Sequence, residues 1–436
     1  MMRTNNTYSV FRSILSRFSH GNVVNYAIAS MRSNDSGGPG ASLDTSDQST
    51  PGWLFVLPWS PRNQGGVDGV VKSLIVWFRD GGAFSPHLLI SSAESESVGT
   101  VEPELIKAHF LELWGPVDPR RPIRGVLSFL YHLPYRCRAL RRIMDHSRIR
   151  IINPHFPDLN SLTFLAMKIL HQFDGQLVLS FHGSDVANAL STSGLERHLW
   201  KMLLRHTDHI VVVSNSLGSE LLTLEPRIAT RVRTINNGVD PAIFLPIEDE
   251  TPSRLPALNH ERRILSVGSF AMNKGHDVLI RAFGHVLSKV PDARLVLVGG
   301  DAPEIEPIRQ LINSMSLAHK VDIFKDVPHE RIPAFLSQAQ LFVLASRREG
   351  YPLVVLEAAA AKVPVVCTRT EGLRELINDR VNGRLVAIDD HIALADAIVD
   401  VLTHPEEALR MATNFHEYVK TNLTWGHTYE KYLQLT

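Results

Sequence analysis

The sequence predicts an α/β protein made of two successive doubly wound domains, each on a parallel sheet. Three observations carry this. Short continuous apolar runs recur, each followed by apolar residues at helical spacing, which is the pattern of strands buried on both faces between crossover helices. The runs fall into two sets on either side of residues 246–262, a stretch with three prolines and many charges that reads as an interdomain linker. Finally, 436 residues at 44% hydrophobic and 21% charged suffice for roughly two or three domains with cores of their own.

Taken in order, residues 1–51 stand apart. Residues 33–50 (SNDSGGPGASLDTSDQST) are rich in Ser, Gly and Asp, cannot bury a core, and are expected to be a disordered tail. Arg3, Arg12, Arg17 and Arg32 precede the first acid, Asp35, a faint organellar-presequence character. The plainer reading, the flexible start of a cytoplasmic protein, is preferred, and no apolar core flanked by a cleavage site suggests secretion. The first domain, 52–245, opens on the strand WLFVLPW (53–59), followed by a Gly-rich turn and a helix. IRIIN (149–153), QLVLSFHGSD (176–185) and HIVVVSNS (209–216) continue the alternation. The second domain, 263–416, holds RILSVG (263–268), RLVLVGG (294–300), KVDIF (320–324), QLFVLAS (340–346) and VPVVCT (363–368). Ligands of such sheets bind at the carboxyl ends of the strands, and a cleft between two such domains is the default site.

Composition excludes several function classes. Lys+Arg and Asp+Glu are both 45, so a global polycation built for nucleic acid is not expected. Two cysteines, Cys137 and Cys367, make neither a disulfide framework nor a four-ligand zinc site, and fit a reducing interior. No run of about 18 apolar residues suggests a spanning helix. The pair Gly65–Gly66 follows a strand and precedes a helix, which allows close backbone approach to a phosphate or an acceptor. It is not the G-x-G-x-x-G dinucleotide fingerprint.

The densest chemical signal is SRREGYPLVVLEAAAAKVPVV (346–366). A strand ends near Ser346, Arg347–Pro352 turn, and a helix starts near Leu353, with Pro352 at the first helical position where proline is tolerated. Glu349 then lies on the loop and Glu357 about a turn inside the helix. The amides at the helix start suit a phosphate, and a carboxylate beside them accepts hydroxyl hydrogen bonds. On spacing alone, since two glutamates eight apart recur by chance in many helices, capping or surface acids are the preferred reading. Elsewhere, VGSFAMNKGHDVLIRAF (267–283) puts Gly268 at a strand end and Lys274 in the loop before a helix, where a lysine meets phosphate as a point cation. A solvated lysine fits that position too. His182, in HGSD (182–185), falls at the carboxyl end of a strand, where a structural histidine is the competing reading.

These pieces, in this order, resemble the retaining nucleotide-sugar glycosyltransferases of GT-B fold, glycosyltransferase family four (glycosyl transferases group 1). The resemblance runs from about Gly65 to the end. It rests on HIVVVSNSLGSELL, INNGVDPAIF (235–244), VGSFAMNKGHDVLI, RLVLVGGDAPE, VPHERIPAFL, SRREGYPLVVLEA, TEGLRELINDRVNGRLV (370–386) and TWGHTYEKYLQL (424–435). It implies two facing Rossmann-like domains with an interdomain cleft, and a C-terminal helix, about 417–436, that packs back on the first domain. It implies a catalytic group of Lys274, Glu349 and His182. Glu349 would hold donor-sugar hydroxyls, helped by the amides of Gly350, Tyr351, Leu353 and Val354. Glu357 would accept the ribose hydroxyls, Lys274 would neutralise the departing diphosphate, and His182 would contact the sugar. Gly66 and Gly268 would approach the donor, and the backbone near Val327 would meet the base. Many relatives carry Arg where this chain has Ser269, which shifts phosphate neutralisation toward Lys274 and the helix amides, with Arg347 or Arg348 as candidates to compensate.

The implied activity is transfer of a sugar from a nucleotide diphosphate sugar to an acceptor hydroxyl, in polysaccharide or glycolipid synthesis, with no cofactor and no metal. The alternatives are a non-catalytic nucleotide-sugar-binding subunit and a GT-B-like sugar-nucleotide epimerase. Expected partners are the donor and a saccharide or lipid-linked acceptor, not nucleic acid. Residues 120–150 hold nine arginines (120, 121, 124, 136, 138, 141, 142, 148, 150) against one acid, Asp145, around VLSFLYHLPY. Such a segment suits peripheral contact with the anionic inner face of a membrane, or forms a basic solvated face.

Overall fold

The computed structural model describes residues 50–59, 66–91, 107–117, 122–244, 261–300 and 305–436. The expected disordered tail up to residue 49, Gly65, Arg120, Arg121 and most of the linker (246–260) lie outside the described residues.

Two sheets organise the chain. The first contains β1 (Gly52–Leu57), β2 (Ser85–Ile90), β3 (Lys107–Phe110), β4 (Ile149–Pro154), β5 (Gln176–Phe181), β6 (His209–Val212) and β7 (Val232–Thr234), in the order β3-β2-β1-β4-β5-β6-β7. The second contains β8 (Arg262–Val267), β9 (Ala293–Gly299), β10 (Val321–Lys325), β11 (Leu341–Leu344), β12 (Val365–Thr368) and β13 (Arg384–Val386), in the order β10-β9-β8-β11-β12-β13. Their pairing is parallel, for example Ile264↔Leu295 and Leu341↔Ile264. Each sheet reverses its winding once, beside β1 and β4 in the first and beside β8 and β11 in the second. Such a switch point leaves a crevice outside the carboxyl ends of the strands.

Every strand expected from the apolar runs is present. β2, β3, β7 and β13 went unanticipated, since SPHLLI, KAHF, VRT and RLV are short or interrupted by polar residues. Pro352 proves to be the cap of the helix Leu353–Ala360, with extended backbone (φ −73°, ψ 121°), and not its first residue. A residue that begins a helix without yet turning leaves the amides just after it unbonded within the helix.

By contacts the chain divides into two compact units. Of the described residues, one holds those up to Pro58, within 78–178 and within 193–208; the other holds those within 59–77, 179–192 and 209–436. In the first, Trp53 and Phe55 on β1 meet Phe78, with ring centroids 4.6 and 5.4 Å apart. Its long helix Pro122–His146 buries Phe129, Leu130, Leu133, Cys137, Leu140 and Met144. In the second, Ile264, Leu295, Leu297, Leu341 and Val343 line strand faces packed by Leu279, Phe283, Leu394 and Ile398 from the helices His276–Lys289 and His391–Thr403. Each buried side chain of this size contributes about 1.5–3 kcal/mol, and this rigid core fixes the loops that leave its strands.

Candidate active site

The second unit brings the chemistry together at the carboxyl ends of β8, β11 and β12. After β8 the chain turns at Gly268, runs through the exposed Ser269, and forms a short 3-10 turn, Met272–Lys274. Gly275 ends this turn in the left-handed region (φ 65°), and a Cβ there would come within 2.0 Å of the Ala345 carbonyl oxygen. Glycine is therefore required, and it seats the β8 loop directly on the β11 loop. The Lys274 side chain lies over Gly268 and reaches across: its Nζ donates to Glu349 Oε1 at 2.8 Å. The Ser346 hydroxyl donates to the same oxygen at 2.6 Å. One oxygen of Glu349 is thus held by both an ammonium and a hydroxyl.

The helix Leu353–Ala360 follows Glu349 by one short turn. No side chain caps it, and Leu353 and Val354 at its start are half-buried where later turns are fully buried. Glu357 sits in this buried part, 3% exposed. Its Oε1 accepts from His329 Nε2 at 2.7 Å, while its Oε2 is buried with no hydrogen-bond partner. A buried carboxylate oxygen left without a donor is costly, so the arrangement reads as a place kept for one. His329, in the 3-10 turn His329–Arg331, follows the half-buried Val327. The hydrogen bond to Glu357 raises the His329 pKa above its ordinary value, against the opposing effect of burial.

Residues 179–192 supply the remaining wall. Asp185, fully buried, accepts from the amides of His182 (2.8 Å), Gly183 (2.7 Å) and Val186 (2.9 Å). Burial pushes its pKa up to about 6, with those amides pulling the other way. The fold built by this turn abuts Gly350, where a Cβ would lie 2.1 Å from the His182 carbonyl oxygen. Burial lowers the His182 pKa to about 3, so its imidazole is neutral at physiological pH. Tyr351 is buried, which pushes its phenol pKa up, and its carbonyl accepts from Asn237 Nδ2 at 2.9 Å. Gly66 opens the helix Gly66–Gly81, exposed, and among the described residues nothing beyond its own helix lies within 4 Å of where a Cβ would stand. One residue triplet on, the Cβ position of Gly69 is 3.5 Å from Leu353 Cδ1, so the starts of these two helices meet. Beside Glu349 a crevice is lined by Ser216, Glu220, Arg347, Arg348 and Thr370.

The expected residues therefore converge, with two differences. Arg347 and Arg348, the candidates to compensate for Ser269, line the crevice beside Glu349 but are tied to acids, with Arg348 Nε left buried and unpartnered. Arg347 bonds Asp277 (3.0 Å) and Asp389 (2.7 Å), and Arg348 bonds Glu220 (2.6 Å); these acids already use their charge. Second, His329 and Asp185 were missed as participants, although both lie in segments singled out by sequence. A histidine next to Glu330 carries no pattern of its own, and its partner is 28 residues away.

The Glycosyltransferase Family 4 model matches residues 65–243, and the Glycosyl transferases group 1 model matches residues 248–418. A GDP-mannose-dependent alpha-(1-6)-phosphatidylinositol monomannoside mannosyltransferase of Mycolicibacterium smegmatis is 30% identical over 259 residues, 57% of this chain and 67% of that one. The chain belongs to the family four, group 1 glycosyltransferases. The phosphatidylinositol N-acetylglucosaminyltransferase GPI3 subunit of Saccharomyces cerevisiae is 24% identical over 66% of this glycosyltransferase, which spans 62% of that subunit's length. Anabaena HepE, solved in complex with UDP and glucose, superposes with a TM-score of 0.71 at 17% identity, covering 87% of this chain and 98% of that one. That likeness establishes the GT-B fold.

Proposed function

We propose that this glycosyltransferase moves a glycosyl unit from a nucleotide diphosphate sugar to an acceptor hydroxyl, retaining the configuration of the anomeric carbon. The observation that carries this reading is Glu357: buried, one oxygen held by His329, the other unpartnered, one turn into an uncapped helix whose preceding loop presents Glu349. Ribose hydroxyls would donate to Glu357, sugar hydroxyls to Glu349, and the diphosphate would meet the helix amides. The relatives support a donor of this class, since one is GDP-mannose-dependent and HepE binds UDP and glucose.

In the reaction the bond from the anomeric carbon to the phosphate oxygen breaks. A bond to the acceptor oxygen forms on the same face, and the acceptor proton passes to the leaving phosphate. Negative charge grows on the diphosphate. Lys274, oriented by Glu349, and the amides at Leu353 and Val354 would be fixed in place before that charge develops, which is what makes such groups effective. Because these groups supply positive charge, turnover is expected to persist in EDTA. His182, neutral and fixed through the Asp185 turn, would bond the sugar near its reacting carbon. The acceptor would be a saccharide or a lipid-linked hydroxyl, as the phosphatidylinositol monomannoside in the mycobacterial relative's name suggests.

The test is a panel of UDP-, GDP- and ADP-sugars screened by thermal shift, since a ligand bound only by the folded state raises the melting temperature. The donor that binds is then turned over with candidate acceptors and the product anomer is read by NMR. Retained configuration is expected. An inverted product contradicts the mechanism, and binding without any transfer or donor hydrolysis favours a binding subunit.

A further inference from the structure

We propose that the crevice beside Glu349 is a subsite for an oxyanion, a phosphate or carboxylate group carried by a sugar of the acceptor or by the sugar transferred. The proposal deepens the function proposed above and rests on it for one element, that Glu349 holds a sugar hydroxyl. The crevice walls belong to the second compact unit: Ser216 and Glu220 on the helix Asn215–Leu224, Arg347 and Arg348 after β11, and Arg369 and Thr370 after β12. Its volume of about 110 Å³ takes several waters at about 10–15 Å³ each, so it is more than a packing defect.

Its charges are mixed, and the pairing among them decides what it binds. Each acid already has a cation. Glu349 meets Lys274 at 2.8 Å, Glu220 meets Arg348 at 2.6 Å, and Glu371 meets Arg374 at 3.3 Å. Arg347 is matched as well, by Asp277 and Asp389. What remains are donors. The Arg369 side chain donates to the Leu385 carbonyl at 3.3 Å and has no acidic partner among the described residues. The Nε–H of Arg348 is buried without a partner, and so is the hydroxyl of Thr370, a residue 3% exposed. Thr370 precedes the helix Glu371–Leu376, where a threonine hydroxyl commonly caps, yet it makes no such bond. Buried donors without an acceptor are costly. Two guanidinium groups and a hydroxyl lining one crevice fit the oxygens of a phosphate or a carboxylate. A neutral sugar would leave Arg369 without a counter-charge, and a cation would meet it as a like charge.

The experiment titrates the full chain with glucose 6-phosphate, glucuronate and glucose, read by saturation-transfer NMR, with UDP and GDP titrated separately. At least one anionic sugar is expected to bind about tenfold or more tightly than glucose. Binding of glucose 6-phosphate alone would identify the group as a phosphate, and of glucuronate alone as a carboxylate. R369Q and T370V should each weaken that sugar about tenfold and leave UDP or GDP binding as it is. T370V also separates a binding role from a structural one. The hydroxyl has no partner in the fold, so an isosteric methyl should leave the melting temperature at or above the native value, whereas a hydroxyl kept for folding would lower it. A lower melting temperature for T370V overturns the proposal, as do anionic sugars that bind no more tightly than glucose. So do variants that bind them like the native chain, which would place the anion on the amides of Leu353 and Val354. If neither UDP nor GDP binds while the anionic-sugar pattern holds, the donor reading fails and the subsite stands.

Discussion

At the scale of single residues, the two oxygens of Glu357 have different fates, and His329 is the reason. The imidazole holds Oε1, and Oε2 is left for a ligand. The raised His329 pKa sets a sign. A base whose folded pKa lies above its unfolded value contributes stability that is complete below the ordinary imidazole range near 6.5 and is lost as pH rises through the folded value. Melting temperatures measured across that range should therefore fall more steeply with pH for the native chain than for H329Q. Parallel curves would show that the pair does not titrate this way. Lys274 makes a kinetic prediction. K274A should lower kcat by about 10²–10³ with a smaller effect on donor binding, because it acts on charge that develops in the reaction; unchanged kcat in a steady-state assay would remove it from the mechanism. Spacing placed Glu349, Glu357 and Lys274 on loops and a helix that follow strand ends, but only the resemblance to a family gave them roles. His329 had a role from neither, since its meaning comes from a partner that only the fold brings near.

At the scale of elements, the loops after β5, β8, β11 and β12 are held together by places where a side chain has no room. A Cβ on Gly350 would meet the His182 carbonyl oxygen at 2.1 Å, and one on Gly372 would meet the Gly350 carbonyl oxygen at 1.9 Å. G350A should cost about 1–3 kcal/mol in denaturant unfolding and weaken donor binding with it. G66A is the contrasting case, because among the described residues nothing stands near its Cβ position. Its stability should stay near native, so that a raised KM would report ligand contact and an unchanged KM would place the donor elsewhere. The strands that sequence reading found were the continuous apolar ones, which only a sheet buried on both faces requires. β2, β3, β7 and β13 escaped because their polar residues hide the pattern. Arg347 and Arg348, candidates to compensate for Ser269, show the same limit: their ion pairs with Asp277, Asp389 and Glu220 join residues distant in sequence.

At the scale of the whole molecule, strand order decides where chemistry can happen. The second sheet reverses beside β8 and β11, and the loops leaving those two strands carry Lys274 and Glu349, which bond each other at 2.8 Å. Equal numbers of basic and acidic residues over the full chain conceal the arginine-rich helix, so the net charge says nothing about the surface that helix presents. The most direct measurement is calorimetric titration of the native chain, E357Q and E349Q with the nucleoside diphosphate and the nucleotide sugar found by the donor screen. A hydrogen bond to a buried charge predicts about 10- to 100-fold weaker binding of both ligands by E357Q, and for E349Q a loss felt mainly by the nucleotide sugar. If E357Q binds the nucleoside diphosphate as tightly as the native chain does, the donor site has been placed wrongly.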